Sequence, residues 1–119
     1  MYDLPKEVNF DFLKGQELAM LCFGPYTLTL HFDPGTQIQI EGAFSHRGCR
    51  STKNLKKYHF PIAGSQLMGL LMQKIKNVET KKNGQLTLHF SNNESLIIEG
   101  NTGPYESYNV QHHDRYIVV

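Results

Sequence analysis

Apolar residues recur at every second position over much of this chain, which is the signature of strands with one face buried. In Leu28-Thr29-Leu30-His31-Phe32 the spacing puts Leu28, Leu30 and Phe32 on one face and Thr29 and His31 on the other. Beyond Asp33-Pro34-Gly35-Thr36 the alternation resumes, with Ile38 and Ile40 inward and Gln37, Gln39 and Glu41 outward. Pro followed by Gly at the centre of a four-residue turn suits a type II turn, so the two strands are expected to form a hairpin. Leu86, Leu88, Phe90, Leu96 and Ile98 predict a second hairpin around Ser91-Asn92-Asn93-Glu94.

The second hairpin is close to a copy of the first. Residues 28–42 and 86–100 are identical at eight of fifteen positions without a gap, at an offset of fifty-eight residues. Each copy has a further strand upstream. Val78–Thr80 runs through Lys81-Lys82-Asn83-Gly84 into Leu86, and Asn-Gly is a strong hairpin signal because both residues tolerate positive φ. Leu18–Phe23 runs through Gly24-Pro25-Tyr26 into Thr27; being apolar on both faces, it is expected to be a central strand, with a helix as the alternative. Ser65–Lys74 carries Leu67, Met68, Leu70, Leu71 and Met72 at helical spacing behind Ser65 as N-cap, which predicts one short helix. Asp11–Gly15 suffices for a single turn closed by its glycine.

The expected architecture is α+β and mainly β. Two pseudo-repeated three-stranded antiparallel meanders form a twisted sheet, sandwich or half-open barrel, with one short helix. The chain reads as one domain over 1–119: repeat 1 over about 10–47, a polar linker over 48–57, repeat 2 over about 64–110 and a C-terminal strand over 115–119. Tyr105–Gln111 is read as a strand before that last one. Exposed sheet edges need cover, and a homodimer pairing those edges is the expected solution.

The series Leu67-Met68-Gly69-Leu70-Leu71, Val78, Gly84-Gln85-Leu86-Thr87-Leu88-His89-Phe90 and Tyr105-Glu106-Ser107-Tyr108 resembles a family of small uncharacterised bacterial proteins. Its members carry a short leucine helix, a hairpin with an L-x-L-x-F strand and a closing Tyr-Glu-x-aromatic motif. The resemblance covers most of the chain, best over 64–110, and departs at Ser91-Asn92-Asn93-Glu94, where Asp-Gly is usual. It implies a fold and a bacterial origin and no settled activity; association with immunity or defence is an analogy it suggests.

Charge and composition narrow the classes further. Twelve Lys and Arg against eleven Asp and Glu give a net charge of +1, so no long-range field selects nucleic acid or anionic lipid. The apolar runs are far shorter than the roughly 20 residues of a membrane span, and residues 1–6 do not resemble a signal peptide, so a cytoplasmic protein without a membrane partner is expected. Cys22 and Cys49 are read as reduced thiols.

The candidate chemistry centres on the repeated pairs His31 with Glu41 and His89 with Glu99. If their faces turn inward and line a pocket, they can serve proton transfer or metal binding; if those faces meet water, they are hairpin surface. Glu106 and Tyr108 share a strand face with Val110, with Tyr105 and Ser107 opposite; Tyr105, Glu106 and Tyr108 are carried as binding candidates. Neither a metal site nor a cofactor is expected, since His112-His113-Asp114 is a run of neighbours that diverge in a turn. No catalytic residue is assigned, because Ser45, Ser65 and Ser107 lie in no nucleophile motif. Arg47, Arg50, Lys53, Lys56 and Lys57, interleaved with His46, Tyr58 and His59, make a basic loop that reads as solvated rather than as a nucleic-acid surface. The reading reached is a non-catalytic module that binds another protein, with a small-ligand or hydrolytic pocket lined by the His/Glu pairs as the alternative.

Overall fold

The period-two pattern becomes strands throughout the computed structural model, which describes residues 9–48, 55–62, 64–100, 107–113 and 115–119. Among these, the strands are β1 (Glu17–Phe23), β2 (Leu28–Asp33), β3 (Thr36–Ile40), β4 (Phe44–Arg47), β5 (Leu55–Tyr58), β6 (Ile75–Thr80), β7 (Leu86–Phe90), β8 (Ser95–Ile98), β9 (Tyr108–His112) and β10 (Arg115–Val118). They form two five-stranded antiparallel sheets, ordered β1-β2-β3-β9-β10 and β5-β4-β8-β7-β6. Neither closes into a barrel. Leu28, Leu30, Ile38 and Ile40 from one sheet and Leu86, Leu88, Leu96 and Ile98 from the other are each 0 % exposed and belong to one hydrophobic cluster.

Each sheet is assembled from both parts of the chain. The β1-β2-β3 meander is extended by the β9-β10 hairpin, and the β6-β7-β8 meander by the β4-β5 hairpin. After the third strand of each meander the chain therefore crosses to the other sheet. The junctions correspond: Ile40 pairs with Tyr108 where β3 meets β9, and Ile98 pairs with Phe44 where β8 meets β4. So do the meanders, with Leu28 opposite Ile40 in one and Leu86 opposite Ile98 in the other.

The segments leading into β1 and β6 stitch the sheets together. Gly15 N–H donates to Ile75 O (2.7 Å) and Ile75 N–H to Gln16 O (2.9 Å). Leu18 N–H donates to Gln73 O (2.9 Å) and Met72 N–H to Leu18 O (2.8 Å). Gly15 (φ +86°) and Met72 (φ +69°), each a donor in these pairings, occupy matching left-handed positions.

Several expectations change. The helix over Ser65–Lys74 is only a 3-10 turn, Leu67–Leu70. A three-residue repeat suffices to bury Leu67 and Leu70, Met68 and Met72 stay outside, and the Met72 N–H is already taken by Leu18. Leu18–Phe23 is an edge strand, not a central one. A bulge between Leu18 and Met20 breaks its alternation, so its second apolar face meets solvent rather than a neighbouring layer. The linker drawn over 48–57 runs into β5 at Leu55, because β4 supplies backbone partners for Leu55–Tyr58; Phe44 stacks on Tyr58 at 5.0 Å between ring centres. Elsewhere Asp11–Leu13 makes the expected single turn, and the hairpin at Pro34-Gly35 forms with a cis Asp33–Pro34 peptide and Gly35 at φ +150° rather than a type II turn.

One contact ties the exchanged β9 to the β6–β7 turn. The Tyr108 hydroxyl, wholly inside the core, donates to Gly84 O at 2.7 Å, and burial pushes its phenol pKa far above the ordinary value. Gly100 packs so closely there that an added Cβ would stand 2.5 Å from the Gly84 carbonyl carbon. Tyr108→Phe orphans that carbonyl and is expected to destabilise the fold by about 1–3 kcal/mol in urea unfolding. Gly100→Ala must displace backbone and should cost at least as much.

Candidate functional site

Because alternate residues of β2, β3, β7 and β8 go to the core, the intervening polar ones lie on the outer faces of two different sheets. His31 lies on the outer face of its sheet in a shallow depression with Gln37, Gln111 and His113. Glu41, just past β3, borders a separate depression beside His59 and Phe60, its N–H donating to Ser107 O at 2.9 Å. His89 and Glu99 share a groove of about 360 Å³ across the outer face of the other sheet. The first pair therefore does not join the second. Tyr108 faces the core, and Tyr105, Glu106, Cys49 and Asp114 lie outside the described residues.

Within the groove, a polar row crosses three strands. Ser95 Oγ lies 2.8 Å from His89 Nδ1, and His89 Nε2 lies 3.2 Å from Glu79 Oε2. Glu99 is held by Gln85, whose Nε2 donates to both carboxylate oxygens at 3.0 and 3.1 Å. Arg47, opposite Ser95 in the β4–β8 register, has a buried Nε without a hydrogen-bond partner. Ser95 is 6 % exposed but Glu79 is 66 % exposed, so water competes for the carboxylate that would orient the imidazole.

A second histidine–carboxylate contact was hidden in the sequence. His46, on the inward face of β4 with Phe44, lies 2.5 Å from Glu94 Oε1 at the β7–β8 turn, and Asn92 Nδ2 donates to Glu94 Oε2 at 2.8 Å. His46 borders a groove of about 800 Å³ with Lys56, Tyr58, Ser65 and Gln66. Lys56 lies over the Tyr58 ring at 5.6 Å, so this aromatic of the expected basic loop already faces a cation. His112 stacks on Phe12 at 4.5 Å and lies 2.7 Å, through Nδ1, from Thr36 Oγ1. Its pKa is lowered by desolvation, then by His113 and Arg115. Among the described residues no three His, Cys, Asp or Glu side chains gather as metal ligands, and no helix is long and apolar enough to cross a membrane.

The most distinctive surface is the free side of β1. Leu18 spends its N–H and C=O on residues 72–73, and from Ala19 onward that side carries no strand among the described residues. Met20 and Phe23 are 49 % and 48 % exposed, Tyr26 is 72 % exposed, and Cys22 is also exposed. β6 holds the matching edge of the other sheet, and its exposed positions are Lys76, Asn77, Glu79 and Thr80. Charged edges resist strand addition; uncharged apolar edges invite it.

Comparison with protein families matches residues 11–119, from the first 3-10 turn to the last residue, to a family of unknown function. The chain belongs to the DUF6188 family. No curated protein and no solved structure matches it. The DUF6188 match spans both sheets and both exchanged hairpins, so the family relationship takes in the whole strand arrangement described above.

The His46–Glu94 contact makes a prediction of its own. Glu94→Ala strands a buried imidazole and should cost about 1–3 kcal/mol in denaturant unfolding. Adding His46→Ala should cost much less than the two single losses together, as a double-mutant cycle would read.

Proposed function

We propose that this protein is a non-catalytic protein-binding module of the bacterial cytosol whose binding element is the edge of β1 that no described strand covers. The observation that carries this is the contrast between matching edges: β6 is studded with charge, whereas β1 presents Met20, Cys22 and Phe23. An extended segment adding to β1 would gain main-chain hydrogen bonds from the edge and cover those side chains. A homodimer through paired edges uses the same strand. The family resemblance supports the bacterial setting, and the low cysteine count the cytosolic one.

A hydrolytic reading has its own observation, the Ser95–His89–Glu79 row beside Arg47. Its weakness is the solvated Glu79. A fluorophosphonate probe separates the two: hydrolysis requires modification of Ser95 that Ser95→Ala abolishes, and the binding reading expects none.

Selection from a library of random extended peptides, at protein concentrations low enough to leave β1 open, tests the binding edge. Alternating apolar peptides should emerge and lose about tenfold or more in affinity, roughly 1.4 kcal/mol, when Met20 becomes Lys. Thr80→Lys on β6 should leave binding unchanged. No β1-dependent peptide would sink the reading.

A further inference from the structure

The occupant of the β1 edge can be argued from strand geometry and charge, resting on the binding reading above. Gly24 N–H donates to Thr27 O at 2.8 Å, so in the alternation of an antiparallel ladder Cys22 and Thr29 form the next hydrogen-bonded pair inward. Leu21 and Phe23 therefore turn their N–H and C=O groups to the free side. Side chains alternate the other way: Leu21 and Phe23 share the face of Leu30 and Leu28, while Cys22 stands with Thr29 on the outer face.

We propose that β1 pairs antiparallel with β1 of a second copy of this chain about a two-fold axis at Cys22, joining two five-stranded sheets into one of ten strands. Leu21 of each copy then faces Phe23 of the other, and both pairs exchange two backbone hydrogen bonds. Cys22 faces Cys22 as a non-hydrogen-bonded pair, with Cα atoms about 4.5 Å apart. The apolar side chains on either side of Cys22 correspond about the axis, so each copy covers the other's exposed Phe23.

Charge selects this occupant. From Leu18 to Phe32 there is no Asp, Glu, Lys or Arg, so a two-fold copy brings no like charges together, and a partner chosen by charge finds nothing to pair with. Other edges differ: β5 carries Lys56 and Lys57, β6 carries Lys76 and Glu79, and β10 starts at Arg115. Self-pairing of β5 would crowd ammonium groups.

Analytical ultracentrifugation of the full chain at micromolar concentration should give twice the 13.6 kDa chain mass. Cys22→Lys, at an exposed position, should give a folded monomer; Thr80→Lys should remain dimeric. In Cys49→Ser protein, mild oxidation with diamide should link the dimer through Cys22, since the proposed spacing lies within disulfide reach. A monomeric wild type, a dimer that survives Cys22→Lys, or a dimer that Cys22 fails to cross-link would each overturn this arrangement. A monomer that still binds selected peptides through β1 would overturn self-pairing alone; a monomer that binds none would overturn the docking reading as well.

Discussion

Neither meander completes its own sheet. β3 and β8 each have one side to fill, and each is filled by a hairpin from beyond the other's crossing: Tyr108 opposite Ile40, Phe44 opposite Ile98. This reciprocal exchange is the constraint on which the rest depends. It makes β3 and β8 central, and their inward residues are accordingly wholly buried. It also sends β4 and β9 across the core, where Phe44 and Tyr108 become two of the largest fully buried side chains. The backbone bonds between residues 15–18 and 72–75 then hold the entrances of both meanders against each other.

The same exchange decides which edges remain open. β9 and β10 protect one side of the first meander, so its exposure is concentrated on β1; β4 and β5 do likewise for the second, leaving β6. Two edges of the same topology differ in sequence: one bears Lys76, Asn77 and Glu79, and the other Met20, Cys22 and Phe23. Strand addition is disfavoured where an incoming chain must accommodate solvated charges, and favoured where it covers apolar surface. The functional reading rests on that difference more than on any polar cluster.

The outer faces carry chemistry without enclosure. His89 connects Ser95 to Glu79, but the carboxylate end of the row is solvated, whereas the better-buried His46–Glu94 contact fastens the β7–β8 turn onto β4. A histidine beside a carboxylate gains catalytic use from a reacting group held against it in a water-poor site. In this fold the drier contact spans two elements of structure, and the wetter row lies across an open sheet face.

The strands of both meanders, their two hairpins and the single turn at Asp11–Leu13 were legible in the sequence, because period-two burial and turn residues are local properties that backbone geometry enforces within a few residues. So was the placement of His31 and His89 on the faces opposite Leu30 and Leu88, although whether those faces met water or lined a pocket was left to the tertiary structure. What the sequence left open was long-range. Leucines 67 and 70 read as helix until Leu18 claimed the Met72 N–H, and β1 read as central because a bulge and a bare edge leave no mark in a hydrophobic run. β4 and β5 have no strong alternation, and only the pairing of β4 with β8 and of β5 with β4 makes them strands. Family membership covers residues 11–119, yet the exchange of hairpins and the partners of His46 and Tyr108 were decided in three dimensions, by backbone groups seeking partners far along the chain.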